Sequence, residues 1–465
     1  MDASALGVRP ALSRRAARFT IVATILGTSI VFVDSTVVNV ALPSIQSDLG
    51  GGLAAQQWIV DAYLLTLGSF ILVGGSLGDI YGDVRVFMIG VASFGVASAL
   101  CAAAPDTTTL IVFRGLQGLA GAVLTPASLA ILTGAFSGGE RGAAIGTWTA
   151  WSGISFITGP LIGGWLIGAW TWRAIFLINI PVAALTLVLT YREVPRVSSG
   201  RKSVRVDYPG AALCAAGLGG VVFGFIEQPR LGWSSPAVAF SIVGGAACLV
   251  AFVLYERRAA QPMLPLRLFS HRNFSVTNIE TFAVYGGLSA WSFLLSLFLQ
   301  QLAGWSPLQA GVATVPVTIV MFFLSRVAGR FSMRYGPRWF MTAGPVLAGL
   351  SILALARLPT DPAYATDLLP SLLGFAVGLA LTVAPLTTTV LSEAGPGDAG
   401  VASGVNNAVA RVAGLMAVAV IGVVAAGGGD HLTASGFHNA MFVTAALLVI
   451  GGAIGAVGIR NPKPT

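Results

Sequence analysis

Apolar residues fill the chain in long runs, broken by short clusters of Gly, Pro and charged residues. A helix needs roughly twenty apolar residues to cross the hydrocarbon core of a bilayer. By that measure spans are expected near 18–41, 57–78, 86–104, 108–135, 142–168, 172–191, 208–227, 236–255, 273–302, 308–329, 339–358, 367–391, 401–426 and 438–459, fourteen in all. The runs at 108–135 and 273–302 are long enough to be tilted or to end in interfacial turns. The fold class this predicts is an all-α membrane protein.

One stretch stands out within that pattern. From Trp151 to Gly164 the chain reads Trp-Ser-Gly-Ile-Ser-Phe-Ile-Thr-Gly-Pro-Leu-Ile-Gly-Gly, with Gly159, Pro160, Gly163 and Gly164 inside an unbroken apolar run. A proline costs about 3 kcal/mol in the interior of a water-exposed helix. In a membrane helix it is tolerated, because neighbouring helices satisfy the freed backbone groups. Glycines strip a helix face of side chains and let another backbone approach. Gly and Pro are also simply commoner in membrane helices, and that plainer reading stays open for this stretch taken alone.

Composition agrees with the pattern. Of all residues 55% are apolar and 9% are charged, against about 25% charged in soluble domains. The basic start, with Arg9, Arg14, Arg15 and Arg18, leads into an apolar run too long for a cleaved signal and is followed by many more spans. Cys101, Cys214 and Cys248 lie in apolar runs without ligand spacing and read as small hydrophobes. His271, His431 and His438 sit near loops, and no metal spacing, Walker pattern or nucleophile–base set stands out. Enzyme chemistry and ATP drive therefore have little support, and no metal or organic cofactor is expected.

The net charge of +8 suggests nucleic acid until its placement is followed. An even number of crossings puts both termini on one side. That side collects Arg85, Arg141, Arg192, Arg196, Arg201, Lys202, Arg205, Arg257, Arg258, Arg267, Arg272, Arg326, Arg330, Arg334, Arg338, Arg460 and Lys463 besides the N-terminal arginines. The other side holds Arg173, Arg230 and Arg357. Cytoplasmic loops collect Lys and Arg, so both termini are expected in the cytoplasm. The basic charge is a topology signal, and no nucleic-acid partner is expected.

The loops after spans two and ten echo each other. Gly75, Leu77 and Gly82 are matched in spacing by Gly329, Phe331 and Gly336. Related halves are a transporter signature, with binding near the midplane between them. The expected division is a six-helix bundle over 1–191, a linker with two inserted helices over 192–258, and a second six-helix bundle over 259–465.

Charged residues inside spans mark candidate chemistry, since a carboxylate at mid-membrane costs about 2.5–3.5 kcal/mol on the insertion scale. Asp34 opens the run Asp-Ser-Thr-Val-Val-Asn39-Val-Ala-Leu-Pro43 in the first span. Arg114 and Gln117 stand in the fourth. At about 1.5 Å rise per residue, Arg114 and Asp34 lie roughly 10 and 13 Å below the outer ends of their spans, so they can meet. An opposite charge lowers a carboxylate pKa and burial raises it, so such a site can load and release protons; a purely structural ion pair is the alternative. Asp61 lies about four residues into the expected second span, as a vestibule acid or an interfacial one, and Trp58 and Tyr63 beside it read as aromatic-belt anchors or cavity-lining groups. Glu280 and Arg411, roughly 10 and 15 Å from the cytoplasmic ends of spans nine and thirteen, pair with each other, or Glu280 is a second proton or cation-selecting site. Glu227, at the outer end of span seven, reads as interfacial. Trp291, Gln300 and Gln301 in span nine are candidates for cargo contact, since aromatic rings suit lipophilic cations.

These motifs together resemble the major facilitator superfamily, over nearly the whole chain from about Phe19 to Ile459. The Asp34–Pro43 run is similar to the Asp-x-Thr-Val-Val-Asn-Val-Ala-Leu-Pro signature of its fourteen-helix drug:proton antiporters. Arg114-Gly-Leu-Gln117-Gly118 resembles the Arg-x-x-Gln-Gly motif of helix four. The Ser155–Gly164 stretch resembles the antiporter motif of helix five, with Ser155 where the first glycine would be. Ser403 to Gly414, with Asn406, Asn407 and Arg411, resembles the same branch. Gly75 to Arg85 resembles the cytoplasmic gate motif, although Asp83 and Val84 stand where arginines are usual. In the second copy Met333 replaces the acid while Arg334 and Arg338 remain.

The resemblance implies alternating access by two rocking bundles, with protons as the coupling ion. Efflux of lipophilic, often cationic drugs or antibiotics across a bacterial cytoplasmic membrane is the implied activity, by a chain expected to act as a monomer. It implies proton coupling at Asp34, Arg114, Asp61, Glu280 and Arg411, and a cargo cavity with Asn39, Gln117, Tyr63, Trp291 and Gln300. It implies a gate of Gly75, Asp79, Gly82, Arg85, Arg334 and Arg338. One proton moving down about 100 mV supplies about 2.3 kcal/mol, enough for roughly a fifty-fold gradient at 1.36 kcal/mol per decade. An exporter of an endogenous metabolite, lipid or siderophore would carry the same motifs; a non-transporting membrane sensor or scaffold is the reading from a different class.

Overall fold

The computed structural model describes residues 13–195, 206–393, 399–427, 429 and 431–461. Arg9, Arg196, Arg201, Lys202, Arg205 and Lys463 lie outside the described residues, as does the side chain of Ser155. Among the described residues every regular element is helical. In chain order the long helices are α1 (Arg14–Leu49), α2 (Leu53–Tyr81), α3 (Asp83–Ala102), α4 (Thr107–Ala135), α5 (Gly138–Ala169), α6 (Ala174–Glu193, with a break at Ile178), α7 (Tyr208–Leu231), α8 (Pro236–Glu256), α9 (Arg272–Leu302, its last turn widened), α10 (Pro307–Tyr335, broken at Thr314), α11 (Arg338–Leu355), α12 (Tyr364–Ser392), α13 (Ala399–Ala426) and α14 (Ala434–Gly458). Among the described residues 13 of them are long and apolar enough to cross a membrane. The run expected at 142–168 lies within α5, a helix of 32 residues and hence about 48 Å long.

The helices pack in a few dominant pairs. α2 lies against α4, α1 against α5 and α6, and α3 against α4; later in the chain α11 lies against α14 and α12, α10 against α12, and α9 against α13 and α14. α7 and α8 pair with each other. Small residues set these distances, as expected where helix association relies on close packing. A Cβ added to Gly74 or Gly118 would collide with the backbone carbonyl of Ala122 or Tyr63, locking α2 to α4. On the other side, a Cβ on Gly452 would sit 2.7 Å from the Thr342 carbonyl oxygen, between α14 and α11.

Early and late helices meet along a seam. α2 faces α13, α5 faces α10, and α1 faces α9. α7 touches both α2 and α13 and so lies over one flank of that seam. The α5–α10 contact lies at the end of the molecule away from the described chain ends, here called the far end. There a Cβ on Gly164 of α5 would lie 2.6 Å from the Pro307 carbonyl oxygen of α10, and one on Gly311 of α10 would collide with the Pro160 carbonyl. Gly159 and Gly163 turn the other way, onto Thr36 and Val37 of α1.

The echo between the two loops has a backbone counterpart. Gly82 and Gly336 both close a helix with positive φ, 91° and 85°, a conformation glycine adopts without a Cβ penalty. The inserted pair carries its own acidic contact. Asp207 caps α7 by accepting the Gly210 N–H at 2.9 Å, and Glu256 at the end of α8 accepts the Leu264 N–H at 3.0 Å. Their remaining oxygens, Oδ2 and Oε1, are buried without a donor. Both would lie 2.6 Å from a Cβ on Gly210, so they face each other.

Candidate functional site

Five helices bring one polar cluster together inside otherwise apolar packing. α1 supplies Asp34, α4 supplies Arg114 and Gln117, α3 supplies Ser98, α6 supplies Asn179, and α2 lays Tyr63 beneath. Asp34 is 0% exposed and Arg114 is 1% exposed. Arg114 Nη1 forms the ion pair with Asp34 Oδ2 and also donates to Gln117 Oε1 at 2.6 Å. Its Nε donates to the Ile59 carbonyl at 3.1 Å. Its guanidinium lies 4.3 Å from the centroid of the Tyr63 ring and 5.8 Å from that of Phe176. Asp34 Oδ1 accepts from Gln117 Nε2 at 2.9 Å and from Asn179 Nδ2 at 3.2 Å. Ser98 Oγ accepts from both amides, at 2.7 and 3.2 Å. The geometry explains the spacing in α4: Arg114 and Gln117, three residues apart, share one helix face.

A buried ion pair is stable only when further hydrogen bonds satisfy its remaining polar atoms, and here they do. Both oxygens of the Asp34 carboxylate have donors. Chemically the cluster is an acid and a guanidinium closed off from solvent and tied together by neutral amides and a hydroxyl. Sequence reasoning brought Asp34 and Arg114 to one place but did not single out Ser98 or Asn179 as partners. Both are small polar residues within apolar runs, the signal that could have found them. Gln117 and Tyr63, expected to line a cargo cavity, serve the ion pair instead, and each is at most 1% exposed.

Asp61 is neither a vestibule acid nor interfacial. α2 begins at Leu53, four residues before the expected span, so Asp61 lies deeper and is 0% exposed with both carboxylate oxygens unpartnered. Trp58 donates to Glu227 Oε1 at 3.1 Å, and Arg230 donates to Glu227 Oε2 at 2.8 Å. These three border a cavity of about 500 Å³ between α2, α4 and α7 at the far end.

Glu280 and Arg411 do not pair. Glu280 is 0% exposed, its carboxylate unpartnered and turned toward Gly455 of α14. Arg411 points to the seam, its guanidinium 5.1 Å from the centroid of the Phe32 ring of α1 and its Cβ close to Gly68 of α2. The two are at similar depth, but they leave their helices in different directions, which depth alone does not fix. Asn406, in the same motif as Arg411, is the residue that reaches α9, donating to Thr281 Oγ1 at 2.7 Å.

At the far end Asn39 and Gln300 lie between α1 and α9, while the Trp291 ring of α9 sits 4.5 Å from that of Phe375 of α12. Asn39 Nδ2 donates to Ser292 Oγ at 3.3 Å, and Gln300 Nε2 donates to the Val40 carbonyl at 3.1 Å. Asn39 Oδ1 and Trp291 Nε1 are buried with no partner, leaving one acceptor and one donor unsatisfied. Gln301 instead donates to Gln46 Oε1, at 2.8 Å. The expected gate residues lie at the opposite end. Asp79 is half-buried beside Gly75 and Gly82, while Arg85, Arg334 and Arg338 are exposed. Arg338 Nε donates to the Ala456 carbonyl at 2.7 Å, and Arg334 lies over the Tyr335 ring. Asp79 forms no ion pair with any of these arginines.

Residues 24–418 match the model of the major facilitator superfamily. The chain is 37% identical over 403 residues to the puromycin resistance protein of Streptomyces alboniger, spanning 85% of this chain and 79% of that one. It is 34% identical over 412 residues to the tetracenomycin C resistance and export protein of Streptomyces glaucescens, spanning 88% and 76%. It is 35% identical over 415 residues to a multidrug resistance protein of Mycobacterium tuberculosis, spanning 88% and 75%. Among solved structures, a peptide transporter crystallised with sulfate superposes with a TM-score of 0.70 at 14% identity, over 95% of this chain and 94% of that one. A D-xylose–proton symporter superposes with a TM-score of 0.68 at 14% identity, over 96% and 98%. At such identity the structures speak for the fold, and the sequence matches carry the kinship: this chain is a multi-pass membrane transporter, not an enzyme, and belongs to the major facilitator superfamily.

Proposed function

We propose that the protein exports lipophilic drugs or antibiotics, often cationic, across a bacterial cytoplasmic membrane in exchange for protons. The observation that carries this reading is the buried Asp34–Arg114–Gln117 cluster. An intramembrane acid held against a fixed cation is suited to taking and giving up one proton as access alternates. The relatives are named for resistance to puromycin and for resistance to and export of tetracenomycin C, which favours outward movement of antibiotics.

In this reading the chain crosses the membrane fourteen times, counting α5. α1–α6 form one bundle, α9–α14 the second, and α7–α8 are an inserted pair. Both termini are cytoplasmic, by the placement of Lys and Arg. The far end is then the external side, and the helices described meet closely there. Asp79, Arg85, Arg334 and Arg338 make their gate contacts in the opposite state. Arg411 and Glu280 tune charge in the second bundle, Asp61 is a second buried acid, and the unsatisfied Asn39 Oδ1 and Trp291 Nε1 offer hydrogen bonds to cargo. The relatives named as export proteins, for tetracenomycin C and for cephamycin, favour a second reading with a single antibiotic as cargo.

The test is proteoliposomes with an imposed inward proton gradient and a trapped pH dye. Adding an exported compound should release protons, and Asp34→Asn should abolish the response while purifying as a folded protein. Full coupled flux in Asp34→Asn would refute the assignment of the acid. No flux with lipophilic cations, but flux with one natural antibiotic, would select the second reading.

A further inference from the structure

We propose that the far end is held shut by an uncharged latch built on Pro43, in which Ser292, Ser296 and Gln300 of α9 grip the backbone and side chain of α1. The proposal rests on the alternating access proposed above. Pro43 lies inside α1 and has no N–H, so the Asn39 carbonyl four residues earlier has no donor within its own helix. Ser296 Oγ supplies that donor from across the seam, at 2.9 Å. One turn on, Gln300 Nε2 donates to the next carbonyl, Val40, at 3.1 Å, and is also within reach of Ser296 Oγ at 3.1 Å. One turn back, Ser292 Oγ accepts from Asn39 Nδ2 at 3.3 Å. Ser292, Ser296 and Gln300 recur every four residues and so form one stripe along α9.

A second contact across the seam follows the same chemistry. On the neighbouring flank Gln57 Nε2 of α2 donates to the Val418 and Ala419 carbonyls of α13, at 2.5 and 3.2 Å. Among the described residues the ion pairs are Arg15–Glu193, Arg114–Asp34, Arg173–Asp48 and Arg230–Glu227, and none of them joins α1–α6 to α9–α14. A seal of neutral hydrogen bonds can be exchanged for water without stranding a charge. The carbonyl freed by Pro43 is hydrated when the latch opens and bonded when it closes. Its strength is therefore insensitive to ionic strength, unlike a seal of exposed ion pairs.

The experiment places spin labels at Ser47→Cys and Leu308→Cys, on the two sides of the seam, with Cys101, Cys214 and Cys248 replaced by serine or alanine. Pulsed electron–electron resonance in lipid nanodiscs then reads the fraction of molecules open at the far end. Ser296→Ala should raise the ratio of open to closed molecules about fivefold, about 1 kcal/mol at 1.36 kcal/mol per decade. Pro43→Ala should act in the same direction by restoring an internal donor to the Asn39 carbonyl. Ser296→Thr should stay near the parent, and raising salt from 0.05 to 1 M should change nothing. An unchanged ratio in Ser296→Ala, or opening driven by salt alone, would overturn the latch. The readout needs no cargo: a latch that responds as stated in a protein without drug-driven proton flux would leave this inference standing and remove the drug:proton reading.

Discussion

Removing one member of the Asp34–Arg114 pair should be far more damaging to stability than removing both. Arg114→Met takes away the cation and leaves a carboxylate that is 0% exposed facing only the amides of Gln117 and Asn179. Asp34→Asn leaves a guanidinium that is 1% exposed with only neutral acceptors. Breaking a buried pair from either side costs about 3–5 kcal/mol. The double variant removes both charges. Its methionine side chain lies on the faces of Tyr63 and Phe176, and its chief debts are the Ile59 carbonyl and the Gln117 Oε1, which lose their Arg114 donors. Losing a neutral hydrogen bond costs about 1–3 kcal/mol when the partner stays buried. The single costs sum to about 6–10 kcal/mol, so the double variant should fall short of additivity by about 3 kcal/mol or more. Reversible unfolding in mixed detergent–SDS micelles, followed by tryptophan fluorescence, measures all four corners of the cycle. Coupled transport should be absent from all three variants, so loss of activity and loss of stability separate cleanly. Costs that add to within about 0.5 kcal/mol, as for independent sites, would refute the ion pair as described.

Gly164→Val and Gly311→Val should each disfavour the closed far end, because their side chains meet the Pro307 and Pro160 carbonyls across the seam; the same spin-label pair reads this as a longer distance, while thermal stability changes little. Glu256→Gln should stabilise the inserted pair by about 1 kcal/mol, since its amide can donate to Asp207 Oδ2 while its carbonyl keeps the Leu264 N–H; a lower unfolding midpoint at pH 8 would contradict the facing carboxylates. Asp106 caps α4 through the backbone N–H of Thr109, which with the Thr109 hydroxyl holds its carboxyl below the usual carboxylate range. A depressed folded-state value means stability that is present above the unfolded-state pKa and lost as pH falls through the folded one; Asp106→Ala should remove that acid-limb dependence, and hydrogen exchange at Leu110 and its neighbours checks it.

The helices were legible in the sequence because apolar run length is set by the bilayer. The run at 438–459 became Ala434–Gly458, and that at 236–255 became Pro236–Glu256. Where the apolar run is broken by amides the reading fell short: Leu53–Gln56 also belongs to α2, and the missed turn put Asp61 too near the surface. Asp34 and Arg114 could be brought together because two depths matched and both residues were conspicuous as charges. Ser98 and Asn179 were not conspicuous, and only packing of α3 against α4 and α6, and of α6 against α1, brings them in. Glu280 and Arg411 lay within about one helical turn of each other in depth and yet diverge, since depth leaves the rotation of each helix free. The role of Pro43 was hidden for the same reason, because a freed carbonyl identifies no partner until α9 is in place.

The inserted pair makes the two flanks of the molecule unequal. Where α2 meets α13, α7 lies across the join like a batten. Where α5 meets α10, no described helix does so, and Leu161, Trp165, Ile319 and Phe323 stand exposed. Acyl chains alongside the molecule therefore meet an added layer of helix on one flank and the α5–α10 pair itself on the other. The insertion gives the body a front and a back.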